Sequence, residues 1–277
     1  MGQTRSIIIG LALAMSQTAV AYAADLGLPP PPPIEPACVG CTGPVYLKGF
    51  VGVTSPDVDN IHSELFATND FQVFHKDIKS SPLFGIGLGY EWNSWLRFDV
   101  TGEYRGDASF FAQDRYPGAN GNFNINQPGF PPGTNEYTAD IESWVGLANM
   151  YIDLGTYWCI TPYIGGGIGF ASISVNGLKD VNVPNNSVFY AADHSQSNFA
   201  WAVYGGLAYD VNPSLTIDLS YRYLDMGDAR TGRVTAYDNS SSYNSFQIED
   251  ITSQDVMLGV RWKLGHEPAA PMPVAFK

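Results

Sequence analysis

The chain has 277 residues, enough for one or two domains. Its 14 Lys and Arg stand against 27 Asp and Glu, a net charge of -13, which excludes the basic footprint that nucleic acid binding requires. Only 15% of residues are charged and 13% are aromatic, too aromatic for a disordered acidic chain.

The N-terminus carries an apolar run from Ile7 to Met15 behind Arg5, closed by Ala21-Tyr22-Ala23. This is the pattern of a secretory signal peptide over residues 1–23, and the run is too short for a membrane-spanning helix. Residues 24–44 contain five consecutive prolines, which favour a stiff, extended periplasmic linker. Within it Cys38 and Cys41 form C-x-x-C. A thioredoxin-type site needs a strand-then-helix context that is absent, so a local disulfide is the expectation in an oxidising compartment. A metal site drawn from Cys38, Cys41, Cys159 and His266 would need three separate segments to converge. No metal site and no resident cofactor is expected.

From Val45 onward eight segments alternate apolar with polar or glycine. They are Val45–Thr54, Leu83–Trp92, Leu96–Arg105, Ser143–Leu154, Tyr163–Val175, Phe199–Val211, Leu215–Leu224 and Asp255–Leu264. Each has about the 9–11 residues of a tilted membrane-crossing strand. Long polar gaps alternate with short ones, so four loops would lie at one end and three turns at the other. The expected fold is all-β: an eight-stranded antiparallel up-and-down transmembrane barrel over residues 45–264, with a periplasmic tail over residues 265–277. A three-residue turn at Asn93–Trp95 sets Tyr90 against Phe98, Leu88 against Val100 and Glu91 against Arg97. A turn at Asn212–Ser214 sets Val211 against Leu215, Tyr209 against Ile217 and Leu207 against Leu219, with Ala208 meeting Asp218 and Tyr204 meeting Arg222. Both registers keep like faces together.

Alternation alone leaves open which face looks outward. Three features point the apolar face at lipid. Gly85, Gly87, Gly89, Gly165, Gly167 and Gly169 share the other face, where they would leave room for large lumen neighbours. Aromatics gather near the segment ends. Tyr90, Trp92, Tyr209 and Trp262 form one girdle, and Phe199, Trp201, Tyr221 and Tyr223 the other, joined by Tyr104 and Phe170. The loop lengths are asymmetric as well. Turning the third segment round would put Arg97, Asp99, Glu103 and Arg105 toward lipid, at about 2–4 kcal/mol for each Arg at mid-bilayer. The lumen is therefore expected to hold a charge network of Glu91, Arg97, Asp99, Glu103, Asp153, Asp218, Arg222 and Arg261, together with Lys48, Asn149, Tyr151 and Lys263. Both signs are present, so the set reads as a side-chain-filled interior. The alternative is a small-solute pathway, although a wide pore needs 16–18 strands.

The stretches "ANMYIDLGTYWCITPYIGGGIGFA" (Ala148–Ala171), "FAWAVYGGLAYDVNPSLTIDLSYRYLDMG" (Phe199–Gly227) and "VMLGVRWKL" (Val256–Leu264) resemble the small outer-membrane β-barrel family. The likeness is to the porin-like surface-antigen barrels of alphaproteobacteria, and more distantly to the barrel of outer membrane protein A. The resemblance implies a Gram-negative outer-membrane location and insertion by the β-barrel assembly machinery. It also implies a role as a surface antigen and in envelope integrity, with haem binding proposed for some relatives. Gly259, Trp262 and Leu264 resemble the assembly signal of a last strand, but many relatives end the chain on an aromatic residue, whereas here "GHEPAAPMPVAFK" follows. His62 and His75 share the first external loop and could ligate haem iron, solvated loop histidines being the plainer reading. None of the four histidines is expected on a strand body. No Ser/His pair falls on a lipid-facing strand surface, so an enzyme is not expected. External loop acids, Asp57, Asp59, Asp107 and Asp114 among them, could reach lipopolysaccharide through divalent cations. The loop ligand stays unnamed.

Overall fold

The computed structural model describes residues 44–62, 72–119, 121–126 and 128–264, with the side chains of Asn60 and His62 excepted. The expected signal peptide, nearly all of the proline-rich linker with Cys38 and Cys41, and the tail with His266 lie outside the described residues.

Thirteen strands follow in order: β1 Val45–His62, β2 Gln72–Ile78, β3 Ser81–Glu91, β4 Leu96–Tyr116, β5 Gly133–Asp153, β6 Ile160–Asn182, β7 Ser187–Ala191, β8 His194–Asn212, β9 Leu215–Asp225, β10 Ala229–Arg230, β11 Val234–Ala236, β12 Ser242–Tyr243 and β13 Gln247–Leu264. Eight of them close a ring of antiparallel pairs, β1–β3–β4–β5–β6–β8–β9–β13 and back to β1. Closure leaves no sheet edge in the bilayer, the condition for a strand fold to span it. The other five strands sit at the end of the long connections, where β2 pairs with β4, β7 with β6 and β11 with β7.

The first hairpin has the expected register: Tyr90 opposes Phe98, Leu88 opposes Val100 and Glu91 opposes Arg97. Its turn is held by Asn93, whose side-chain oxygen accepts from the backbone N–H of Trp95 (2.9 Å) and Leu96 (2.8 Å). In the β8–β9 hairpin Tyr209–Ile217, Leu207–Leu219, Ala208–Asp218 and Tyr204–Arg222 pair as expected, but Val211 does not meet Leu215. A register shift between Asp210 and Asn212 brings Asn212 opposite Leu215 instead. That is a bulge, with one unpaired residue taken up beside the turn. The third turn is tighter than its sequence suggests. Trp158 and Cys159, at φ 51° and 64°, form a two-residue loop between the mutually hydrogen-bonded Tyr157 and Ile160.

The largest departure is at the other end. β4, β5 and β6 run to 21, 21 and 23 residues, about twice what a bilayer crossing needs. β1, β8 and β13 also outrun their expected ends. Much of what read as long loops is therefore sheet, raised into an outer lobe. The outward face records where the membrane stops. Val53 on β1 is followed outward by Ser55 and Asp57, Trp144 on β5 by Glu142 and Asp140, Phe170 on β6 by Ser172 and Ser174, and Val256 on β13 by Gln254. Above that line the inward face becomes apolar, with Phe110, Ala112, Ala139, Ile141, Ile173, Val175, Ile248 and Ile251 in one buried cluster.

Bulges manage the change. On β4 a register shift between Arg105 and Ala108 lets residues 97–105 of odd number and then Ala108, Phe110 and Ala112 all point inward. On β6 three steps from Asn176 to Lys179 oppose two from Asp140 to Thr138, and Gly177 takes φ 60° there. Only a residue without a Cβ adopts that conformation without strain.

Candidate functional site

The belt's two faces differ in kind. Outward, Leu88 is 54% and Val100 64% exposed, as apolar side chains facing lipid must be. Inward, Arg97 and Arg222 are each 1% exposed. Such burial of charge is stable only with partners, and the partners are there.

At the outer level of the lumen Arg222 grips Glu103 in a two-pronged contact, 2.7 Å on each arm, and donates from Nε to Asp255 at 2.8 Å. Arg105 binds Asp255 from the other side, donates to Ser253 Oγ at 2.8 Å, and lies 3.2 Å from Glu103. Mid-lumen, Asp99 gathers Asn149 (2.7 Å), Tyr46 (3.2 Å), Lys48 (3.3 Å) and Tyr151 (3.4 Å). Toward the short-turn end Arg261 pairs with Asp218 at 2.6 Å, and Lys263 with Glu91 at 2.8 Å. Arg97 donates to Asp153 at 3.1 Å, its guanidinium lying 4.3 Å from the ring centres of both Tyr151 and Tyr163. Its terminal nitrogens have no hydrogen-bond partner among the described residues, so the two π faces are what they meet.

The ion-paired set balances. Six cations (Lys48, Arg97, Arg105, Arg222, Arg261, Lys263) meet six carboxylates (Glu91, Asp99, Glu103, Asp153, Asp218, Asp255). Glu91 and Arg97, neighbours in register, do not pair with each other; each takes a partner from another strand. Glycine makes the space. A Cβ on Gly89 would lie 2.1 Å from the Tyr46 ring, and one on Gly165 2.5 Å from Tyr151. Among the described residues, a cavity of about 10 Å³ between Lys48, Tyr151, Tyr204, Asp218 and Arg222 is the size of one water.

All eight lumen charges expected from sequence point inward, and so do Lys48, Asn149, Tyr151 and Lys263. Sequence reasoning left out Asp255, Tyr46 and Tyr163, whereas Tyr204 was placed opposite Arg222 on the lumen face. The signal for Asp255 was present, because it shares the odd-numbered face of β13 with Arg261 and Lys263. Tyr90, Trp92, Tyr209 and Trp262 project outward near the short turns, and Phe199, Trp201, Tyr221 and Tyr223 project outward near the opposite limit of the belt. Trp144 joins the latter rim, 4.9 Å from Tyr104. Trp158, 93% exposed at the tip of its turn, extends the former.

The histidines differ from expectation: His62 closes β1, His75 lies within β2 and His194 opens β8. The His75 ring packs edge-on to Phe111 at 5.7 Å. Cys159 is half-buried and has no disulfide partner among the described residues. Asp114 is not a loop acid but wholly buried in the lobe.

Residues 11–263 match the family model described as outer membrane protein beta-barrel domain. The chain belongs to this family. An uncharacterized protein of Brucella melitensis is 30% identical over 236 residues, 79% of each chain. Outer membrane protein PagN of Salmonella typhimurium is 25% identical over 222 residues, 79% of this chain and 89% of that one. Among solved structures, the outer membrane protein OprG of Pseudomonas aeruginosa shares the fold, with a TM-score of 0.51 at 14% identity over 83% of this chain and 99% of that one. This protein is thus an outer-membrane β-barrel, and the belt its lipid-facing surface.

Proposed function

We propose that this barrel is a non-enzymatic surface component of the Gram-negative outer membrane. It supports envelope integrity and presents a rigid outer lobe for external contacts, rather than conducting solutes. The observation that carries this reading is the doubly filled interior: a balanced ion-pair network within the belt and an apolar core above it. A diffusion channel would need a continuous aqueous path, and eight strands leave a bore that side chains fill. The aromatic rims suit anchoring at two lipid interfaces. Exposed acids above the belt, Asp57 and Asp107 among them, suit contact with lipopolysaccharide through divalent cations. Delivery would run by the signal peptide and the β-barrel assembly machinery.

The test has two arms. Purified protein in planar bilayers should show no steady conductance. A strain lacking the protein should lose detergent resistance and regain it with the intact gene. Porin-like openings, or unchanged resistance in the deleted strain, would overturn the proposal.

A further inference from the structure

The interior of the outer lobe is largely apolar, yet two carboxyls are sunk in it. Asp114 on β4 is 0% exposed and Asp180 on β6 is 5% exposed. Neither has an ion-pair partner among the described residues, which separates them from every carboxylate of the lumen network below. They are held by hydroxyls and amides instead. Tyr137 donates to Asp114, Asn135 Nδ2 donates to it at 3.0 Å, and Tyr243 donates to Asp180.

Among the described residues, the groups facing the pair come strand by strand. β4 supplies Asp114 and Tyr116, β5 supplies Asn135 and Tyr137, and β12 supplies Tyr243. Phe189 of β7 and Phe246 before β13 close the remaining sides, 5.4 and 5.9 Å from the Tyr243 ring. None of these is basic. Lys179, next to Asp180 in sequence, points to the outer face.

Tyr243 ends the hairpin of residues 234–243, which also joins the lobe through three residue pairs between β11 and β7, a backbone bond from Tyr237 N–H to Val188 O and the buried Val234. The tyrosine hydroxyl on Asp180 thus ties this hairpin to a long barrel strand. We propose that Asp180, Asp114 and Tyr243 form an acid-tightened latch: the protonated carboxyl pair holds the 234–243 hairpin onto the lobe, and ionisation at neutral pH loosens it.

The physical basis is uncompensated burial. Burial pushes Asp180 up to about 6, the Tyr243 hydrogen bond opposing and the nearby Asp114 reinforcing the rise. Asp114 is raised by the same cause. The closed form, with its raised carboxyl pKa, binds a proton that the open form does not. Closure therefore tightens as pH falls through about 6 and is complete below about 3.8, the ordinary value of an exposed carboxyl. Above about 6 both forms are ionised, and the latch stays at its loosest. Tenfold per unit, over the gap between 3.8 and about 6, makes a change in opening of about 10²-fold. The tyrosine donors stay protonated throughout, since burial also raises the Tyr243 and Tyr137 hydroxyls.

The test is amide hydrogen exchange of residues 234–243 in the full-length protein in lipid vesicles, at pH 4.0 and 7.5, corrected for intrinsic rates. Wild type should be about 10²-fold better protected at pH 4.0 than at 7.5. Asp180→Asn should be protected at both, matching wild type in acid and exceeding it at neutral pH. If Asp180→Asn gives no heat-shifted folded band, Asp114→Asn serves, and it should narrow the wild-type difference. Equal wild-type protection at the two pH values would overturn the latch. So would a pH difference that the folded variant leaves unchanged.

Discussion

Arg222 is the most heavily committed cation of the lumen, and replacing it tests the whole network. Arg222→Met keeps the length of the stem and removes three charge-assisted hydrogen bonds, two to Glu103 and one to Asp255. The side chains of Glu103 and Asp255 are 1% and 0% exposed, so water cannot take the guanidinium's place. Arg105 alone would then face both carboxylates, through its contacts at 3.2 Å to Glu103 and to Asp255. Breaking a buried pair from one side costs about 3–5 kcal/mol, mostly the desolvation of the charge left behind. That is a large share of a domain's total stability of about 5–15 kcal/mol. The assay is urea unfolding in lipid vesicles, read by loss of the fast-migrating unboiled band. Neutralising Glu103 as well, in Arg222→Met/Glu103→Gln, should recover much of the loss, because Arg105 then stays paired with Asp255 and no buried charge is left unpaired. A single variant within about 0.5 kcal/mol of wild type, the range of ordinary surface substitutions, would refute the claim that these charges are buried and mutually dependent.

The glycines supply a second contrast. Gly89→Ala would drive a Cβ to 2.1 Å from the Tyr46 ring and should destabilise by about 1–3 kcal/mol, while Gly102→Ala, which meets nothing within 4 Å on the lipid side, should be tolerated; urea midpoints compare them. The limit of the belt is open to the same kind of pairing. Leu88→Arg faces mid-belt and should cost about 2–4 kcal/mol, whereas Ser109→Arg, also outward on an adjoining strand but beyond the belt, should cost near zero. Equal effects at the two sites would mean that the boundary is misplaced.

The parts of this fold legible in the sequence are those where one solvent acts on one face. Within the belt every strand turns an apolar stripe to lipid and keeps its charges on the lumen side, where Phe50, Val145, Leu147 and Met257 also lie, so period-two counting found all eight strands and the Tyr90–Phe98 and Tyr209–Ile217 registers. Lumen charges were equally legible, because an Arg or Asp on an otherwise apolar strand has only one face that can hold it. Pairing was not. Arg97 chose Asp153 over its register neighbour Glu91, and Arg105 reached Asp255, 150 positions along the chain. Such choices depend on which side chains meet inside the closed cylinder, which no single hairpin reveals. Asp114 was misread as a loop acid for a related reason: its burial comes from strands that the sequence reading had assigned to loops.

Why those strands were missed follows from the change of solvent. Outside the bilayer the surroundings become water, and the stable arrangement inverts to apolar inside and polar outside. A strand that crosses the boundary must either change its pattern or change its face. β5 changes its pattern on the outward face, where Trp144 gives way to Glu142 and Asp140, while Val145, Ile141 and Ala139 keep the inward odd positions. β4 instead changes its face. Phe98, Val100 and Tyr104 point to lipid, whereas Ala108, Phe110 and Ala112, on the same even positions, point inward after the bulge at residues 106 and 107. Simple alternation along β4 would have carried Phe110 onto the water-facing side, so the continuous strand looked like the end of one. One extra residue in the ladder thus lets a single ribbon satisfy two solvents, which makes the bulge at the membrane surface as necessary to the outer lobe as the apolar stripe is to the belt.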